Sequence, residues 1–273
     1  MESICALSLF EATVLRNRNL IANGTFGQIY LCDTTCGDRK YIVKAICKSK
    51  TQAILQSMGS SVKAEDEAMY HWQFVNANIL ECIAIEETMD TILFVFPYMH
   101  MGNAMNAILH YGAFTFDKMH ELYSNIYGAL SYIHQQKITH RDVKLENILL
   151  RKKLDSETMG YCLTDFGFAK MACDLAGCST FIGTAIYMAP EIYLCRCYGS
   201  EYGMRADLWS LGISLFILAS ATHPFFEEDL EHQICDVDIV FDENQWSTLP
   251  KTTFVAITTM LRKCASERLC LPL

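Results

Sequence analysis

Along the first third of the chain, apolar and polar positions alternate with a period of two in short runs. Arg18 to Ala22, Gly27 to Cys32 and Tyr41 to Cys47 read as strands, and Ile79 to Ile85 and Thr91 to Phe96 as two more. The turns between them carry Gly24, Cys36-Gly37-Asp38 and an acidic stretch before Thr91. Residues 49–74 lack strand character, and Ala64 to Phe74 predicts one inserted helix. After Pro97 the period changes to that of a helix. Ala104 to Leu109 is short; Asp117 to Gln135 puts Leu122, Ile126, Leu130 and Ile133 on one face, with Asp117 as N-cap. Met204 to Ser220 and Thr252 to Lys263 predict further helices. The pattern is α+β in two parts: a small antiparallel β lobe with one helix, a hinge at Pro97 to Gly102, and a larger helical lobe. Ligands commonly bind in a crevice between such lobes.

Composition supports a large core. The chain has 273 residues, 51% of them apolar, and no repeats or long linkers. The net charge of −9 disfavours nucleic acid and anionic membrane as partners. The 13 cysteines show no paired metal spacing. Cys32 with Cys36, and Cys195 with Cys197, are weak metal or redox candidates beside the simpler reading of free thiols in a reducing cytosol. Glu2 stands where a secretory signal needs positive charge. The longest apolar stretch, Leu208 to Ala221, falls short of the roughly 18–20 residues that span a bilayer; a buried helix fits it better.

The chemistry is concentrated in His140-Arg141-Asp142-Val143-Lys144-Leu145-Glu146-Asn147. Asp165-Phe166-Gly167 follows, then Gly183-Thr184, Tyr187 and Ala189-Pro190-Glu191. In order and spacing these segments resemble the protein kinase family, serine/threonine branch. Asp165-Phe166-Gly167-Phe168-Ala169-Lys170 is loosely similar to the calcium/calmodulin-dependent-like and testis-specific-type kinases. The resemblance runs from about Arg18 to Arg268 and implies one kinase domain over residues 1–273. Residues 1–97 would form an ATP-binding lobe and 98–273 a catalytic lobe, with the family's final helix cut short.

The resemblance implies a division of labour for phosphoryl transfer, where a site must position groups and neutralise charge. Asp142 stands at the catalytic base, Lys144 at the residue contacting the moving phosphate, and Asn147 and Asp165 at the two Mg²⁺ ligands, oxygen donors suited to that ion. Ile21, Ala22, Asn23, Gly24, Thr25, Phe26, Gly27 and Ile29 resemble the glycine-rich loop, in which glycine lets backbone N–H groups approach phosphate; a plain hairpin turn explains that stretch equally. Lys44, in Tyr41-Ile42-Val43-Lys44, would contact the α- and β-phosphates, with Glu67 as its partner and Glu65 as the alternative. Met99 would contact the purine. ATP and Mg²⁺ are the implied cofactors.

Other positions read as scaffold. Asp207 would accept backbone hydrogen bonds from the 140–147 loop, and Glu191 would pair with Arg268. Lys144 with Thr184 favours serine or threonine acceptors. Glu146 suggests a mild basic preference in protein substrates, because Asn103 and Ile217 stand where strongly basophilic kinases are acidic. Arg141 suggests control by an upstream kinase acting on Ser179 or Thr180, whose phosphate would pair with it. Arg151-Lys152-Lys153 reads as a solvated hairpin before a docking patch. His110, His120 and His134 read as surface or helix-packing residues.

Several positions depart from the family pattern. Ala22 replaces the first glycine, Ile42 a small alanine, and Phe96 is the gatekeeper. Pro97 removes a hinge N–H. His71 and Cys82 fall where apolar residues usually stack, which suggests a loosely assembled active state. A pseudokinase, a scaffold with weak or no phosphotransfer, is therefore the alternative to an active protein kinase. A small-molecule kinase is a third reading.

Overall fold

The computed structural model describes residues 15–34, 39–58, 60, 62–152, 159–171, 184–194, 200–226, 228–242, 246–247 and 249–268. The chain divides into two compact units, Met1–His100 and Met101–Leu273.

The first unit is built on a five-stranded antiparallel sheet. Its strands are β1 (Leu15–Asn23), β2 (Gly27–Thr34), β3 (Lys40–Cys47), β4 (Ala84–Glu87) and β5 (Thr91–Pro97), in the order β1-β2-β3-β5-β4. The interior strand β5 buries Ile92, Phe94, Val95 and Phe96, as a strand covered on both faces must. Cys32, Val43 and Val95 make one core cluster, flanked by Tyr30, Tyr41, Ala84 and Leu93. In register, Ile42 faces Phe96, Lys44 faces Phe94 and Tyr41 faces Pro97.

Among the described residues this unit has two helices, where one was expected: α1 (Lys48–Ser57) and α2 (Asp66–Gln73). The sequence hides α1 because only Thr51 and Leu55, one turn apart, are buried in an otherwise polar stretch. Asp66 and Glu67 lie in the first turn of α2, where the helix dipole favours carboxylates. The strand expected over Ile79 to Ile85 forms only from Ala84. Upstream, Asn76 makes a turn with its side chain bonded to Asn78 N at 2.8 Å, and Ile79 and Leu80 are buried outside the ladder. Ile83 N still donates to Val95 O of β5 at 2.8 Å, so the segment approaches the sheet before the regular ladder begins at Ala84.

The second unit is mainly helical. After α3 (Ala104–Tyr111), α4 (Phe116–Gln135) buries Met119, Leu122, Tyr123, Ile126, Ala129, Leu130 and Ile133, the spacing of one helical face. Thr115 holds the N-cap position; Asp117, expected there, lies within the first turn. The pairs β6 (Ile138–Thr139) with β9 (Lys170–Met171), and β7 (Ile148–Lys152) with β8 (Met159–Leu163), frame the 140–147 loop. Then come α5 (Pro190–Tyr193), α6 (Ser200–Ser220), α7 (Leu230–Asp236) and α8 (Lys251–Met260).

Helix α6 is the unit's axis. Residues 211–218 are all buried, as expected of a helix apolar on every side. It packs against α4 and α8. A Cβ on Gly212 would come within 3.0 Å of Met260 and Leu261, so glycine sets how closely α8 approaches. Among the described residues no helix is long and apolar enough to cross a membrane. The six described cysteines are free thiols; Cys32 and Cys162 are buried, whereas Cys264 is exposed.

Candidate active site

In the second unit, the loop between β6 and β7 is held from below by one carboxylate. Asp207, on α6 and 1% exposed, accepts from His140 N and Arg141 N at 2.9 Å each. His134 Nε2 donates to the same carboxylate at 2.8 Å. This histidine, expected to be a surface or packing residue, reaches Asp207 from α4. Its signal in the sequence is only its place in the last turn of α4, six residues before His140. Arg141 adopts a left-handed φ of 71°, a conformation that costs energy for a side-chain-bearing residue and that the Asp207 clamp sustains. His140 is fully buried: Nδ1 accepts from Asp142 N at 3.3 Å and Nε2 donates to Thr164 O at 3.1 Å. Its ring meets Phe166 edge-on, with centroids 4.8 Å apart.

On this support, four side chains converge. Asp142 Oδ2 lies 2.8 Å from Lys144 Nζ and accepts from Asn147 Nδ2 at 3.0 Å. Asn147 Nδ2 also donates to Asp142 O at 2.8 Å. Asp142 Oδ1 accepts from Thr184 Oγ1 at 3.1 Å and from Thr184 N at 3.2 Å. Lys144 Nζ donates to Thr184 Oγ1 at 2.7 Å. The Asp142 carboxylate is buried and oriented by donors on both oxygens, while the Lys144 cation balances its charge. Because the Asn147 amide nitrogen is engaged by Asp142, its Oδ1 is left as an oxygen donor. Asp165 is half-buried with a φ of 66°. Thr164 N, one residue before it, donates to Asn147 O at 3.0 Å, so the backbone ties the two oxygen-bearing residues together.

Neighbouring residues complete the floor. Tyr187 is buried, which raises the pKa of its hydroxyl, and the Glu146 and Asp142 carboxylates add to that. Glu146 itself is exposed. Ile217 is buried on α6, and Asn103 caps α3 by accepting from Asn106 N at 2.8 Å. The expected Glu191–Arg268 pair forms with two hydrogen bonds of 2.6 Å. Ser179, Thr180 and Gly183 lie outside the described residues, as do Cys36, Cys195, Cys197 and Lys153.

The first unit carries its own constellation. Lys44 Nζ lies 2.8 Å from Glu67 Oε1 and 3.1 Å from Oε2. Glu65 instead lies 3.6 Å from Lys48. His71 does not loosen this arrangement. Its buried ring sits against Phe94 and Phe96, with centroids 5.7 and 5.1 Å away, and its Nε2 is 3.8 Å from Glu67 Oε1. Cys82 donates to Ala84 O at 3.3 Å, and burial pushes its pKa up to about 12.

The expected glycine-rich loop is the β1–β2 turn. Ile21, Ala22, Asn23, Gly24 and Thr25 are exposed. Gly24 N donates to Gly27 O at 2.8 Å, and the ladder shifts register between Leu20 and Ala22. Ile29 pairs with Ala22 and Lys44. Two residues depart from a simple phosphate-loop reading. Phe26 is buried and its carbonyl accepts from Thr51 Oγ1 at 2.9 Å. Gly27 is demanded by β3, because a Cβ there would stand 2.2 Å from Ala45 O. Pro97 ends β5, and Met99 is half-buried two residues on.

Comparison with known proteins gives the family. The protein kinase domain matches residues 15–272. The chain is 30% identical over 236 residues to the probable serine/threonine-protein kinase fhkE of Dictyostelium discoideum, covering 84% of this chain and 32% of that protein. It is 29% identical over 256 residues to calcium-dependent protein kinase 6 of Oryza sativa subsp. japonica, covering 91% and 44%. To the SNF1-related protein kinase catalytic subunit alpha KIN12 of Arabidopsis thaliana it is 27% identical over 210 residues, covering 77% and 40%. The match thus spans less than half the length of each of these relatives. By its own motifs and by this match over nearly its whole length, the chain belongs to the protein kinase domain family.

Proposed function

We propose that this chain is a serine/threonine protein kinase that transfers the γ-phosphate of ATP, with Mg²⁺, to hydroxyls of protein substrates. The observation that carries the reading is the Asp142–Lys144–Asn147–Thr184 cluster, held on Asp207.

Asp142 orients the acceptor hydroxyl and takes its proton. Its fixed carboxylate meets the geometric demand on a general base. Lys144 supplies positive charge where charge develops on the transferred group. Asn147 Oδ1 and the Asp165 carboxylate suit Mg²⁺, which prefers hard oxygen donors and is commonly held by one or two protein groups together with phosphate and water. Two protein ligands leave most of the ion's octahedral shell to phosphate oxygens and water. Bound Mg-ATP supplies the phosphoryl group and the metal charge that offsets its oxygens.

In the first unit, Lys44, oriented by Glu67, contacts nucleotide phosphate. The exposed turn Ile21 to Thr25, with the Gly27 and Ile29 backbone, lies against the nucleotide, and Met99 meets the purine. Phe26 acts through its carbonyl, which fixes the turn. The exposed Glu146 gives protein substrates a mild basic preference. The free thiols suit the cytosol. An upstream kinase acting on Thr180 or Ser179 would regulate the chain through Arg141.

The test is transfer of radiolabelled phosphate from ATP to a generic basic protein, comparing the wild type with Asp142→Asn. Transfer by the wild type and none by the variant is expected. No transfer by the wild type, together with no thermal shift on adding Mg-ATP, ends the enzyme reading; transfer that survives the substitution identifies a contaminant.

A further inference from the structure

Away from the Asp142 cluster, the second unit has a cavity of about 520 Å³, walled by the segment after α7, the end of α8 and the turn that follows. That volume falls within the roughly 300–1,000 Å³ of small-molecule sites. Its wall includes Asp238, Phe241, Leu261, Arg262, Cys264 and Glu267. Phe241 and Leu261 supply apolar surface; the others are charged, with one thiol among them. Asp238, Arg262 and Glu267 are exposed, and among the described residues their side chains enter no hydrogen bond and no ion pair. Lys263, which also borders the cavity, differs. Its ammonium donates to Gln233 O at 3.1 Å and Ile234 O at 2.6 Å in α7, and lies over the Trp209 and Phe225 rings. Asp236 and Asp238 act on it from the same side. The uncommitted cation of this wall is therefore Arg262.

The thiol on the wall is set up as a nucleophile. Cys264 is exposed. The Ser266 hydroxyl, 3.0 Å from Cys264 Sγ, and the Ser266 N–H lower its pKa, and the Glu267 carboxylate opposes them only in part. Burial does the reverse at Cys162 and Cys82, whose thiols are pushed up to about 11 and about 12. The thiolate is the attacking form in thiol–disulfide exchange, and it must be accessible. A lone exposed thiolate would accept any disulfide. Here one cation and two carboxylates stand around it on the wall of a ligand-sized cavity, so charge can select the reagent.

We propose that Cys264 is a site of mixed-disulfide formation with a small zwitterionic disulfide, of which glutathione disulfide is the type, and that the cavity holds the bound half. A carboxylate of the ligand meets Arg262, its ammonium meets Asp238 and Glu267, and its methylene groups cover Phe241 and Leu261. In the exchange, the Cys264 thiolate attacks one sulfur of the small disulfide. The Cys264 Sγ–S bond forms as the reagent's S–S bond breaks. The other half leaves as a thiolate and takes up the proton that Cys264 gave to solvent. The small disulfide is the oxidant, and the step needs no other. The site is independent of phosphotransfer.

The full chain is incubated with glutathione disulfide, its remaining thiols are blocked, and the tryptic peptide Cys264–Arg268, which holds no other cysteine, is followed by mass spectrometry. The uncharged 2-hydroxyethyl disulfide is the second reagent. The synthetic peptide Arg262–Arg268 keeps the local charges and lacks the cavity. The ratio of the two rates, glutathione disulfide over 2-hydroxyethyl disulfide, should be about tenfold higher at Cys264 of the folded chain than in the peptide. Arg262→Gln should bring the ratio down towards that of the peptide while leaving the rate with the uncharged reagent unchanged. Asp238→Asn combined with Glu267→Gln should lower the ratio as well, and is the second variant if Arg262→Gln lowers the melting temperature. Ser266→Ala should slow both reagents alike, because it acts on the thiolate. A ratio no higher in the folded chain than in the peptide, or one that both sets of charge variants leave unchanged, identifies a merely exposed thiol and overturns the proposal. So does the absence of any adduct at Cys264.

Discussion

Arg268 closes on Glu191, 77 positions away in the sequence, with two hydrogen bonds of 2.6 Å. Both residues are buried, and Arg268 also donates to Arg262 O, Arg205 O and Lys263 O and lies over the Trp209 ring at 5.1 Å. Every arm of the guanidinium is therefore used. Arg268→Leu would leave the Glu191 charge buried without its partner, at a cost of about 3–5 kcal/mol. Arg268→Lys would not rescue it, because an ammonium cannot reproduce the planar fork. Urea unfolding midpoints of the variants should show this loss, and Glu191→Leu combined with Arg268→Met should recover part of it.

The two loop glycines separate phosphate approach from strand packing. A Cβ on Gly27 would meet the Ala45 carbonyl at 2.2 Å, whereas one on Gly24 would lie 3.4 Å from Gly27 O. Gly27→Ala should therefore destabilise the protein by about 1–3 kcal/mol, since backbone on β3 must move. Gly24→Ala should melt near the wild type. Its effect, if the turn meets phosphate, should appear in the KM for ATP. Thermal melting and ATP titration on both variants distinguish the two.

Thr184 is the hinge of the Asp142 cluster. Its hydroxyl accepts from Lys144 and donates to Asp142. Hydrogen bonds to charged groups contribute about 1.5–3 kcal/mol, so Thr184→Val should lower kcat about 10–100-fold. Thr184→Ser keeps the hydroxyl and should retain most of the activity. Steady-state phosphotransfer on a serine peptide measures both; equal kcat for the wild type and the valine variant would refute the role.

His223 makes stability depend on pH. Burial lowers its pKa from 6.5 to about 4, although the Phe225 carbonyl opposes the shift. The unfolded chain thus binds a proton that the folded chain refuses between those two values. Stability is unaffected by this group above pH 6.5 and declines as pH falls towards 4, by about 3 kcal/mol in all. His223→Asn keeps an acceptor for Phe225 N and removes the titration. Denaturation midpoints from pH 7 to pH 4 should fall less steeply in the variant than in the wild type.

Much of the site was legible because its residues are close in sequence. Asp142, Lys144 and Asn147 fall within one short loop, whose residues and spacing carry the family resemblance that implies their roles. Lys44 and Glu67 were paired through the family resemblance, and the structure brings them to 2.8 Å across the intervening α1. His134 was not legible: nothing in a helix pattern says that one ring will donate to Asp207, 73 residues on. Helix α1 escaped because a helix with two buried positions has almost no period to read.

The sequence by itself determined the order of elements, the α+β class, the family and the residue types at the candidate site, because hydrophobic period and local motifs are properties of neighbouring positions. Only the tertiary structure decided which donors orient the Asp142 carboxylate, that Gly27 is held by β3, and that His71 packs against Phe94 and Phe96 beside an intact Lys44–Glu67 pair. These contacts join residues far apart in the chain. Their strength depends on burial and on distances within a few tenths of an ångström, which no pattern of residue types along the chain encodes.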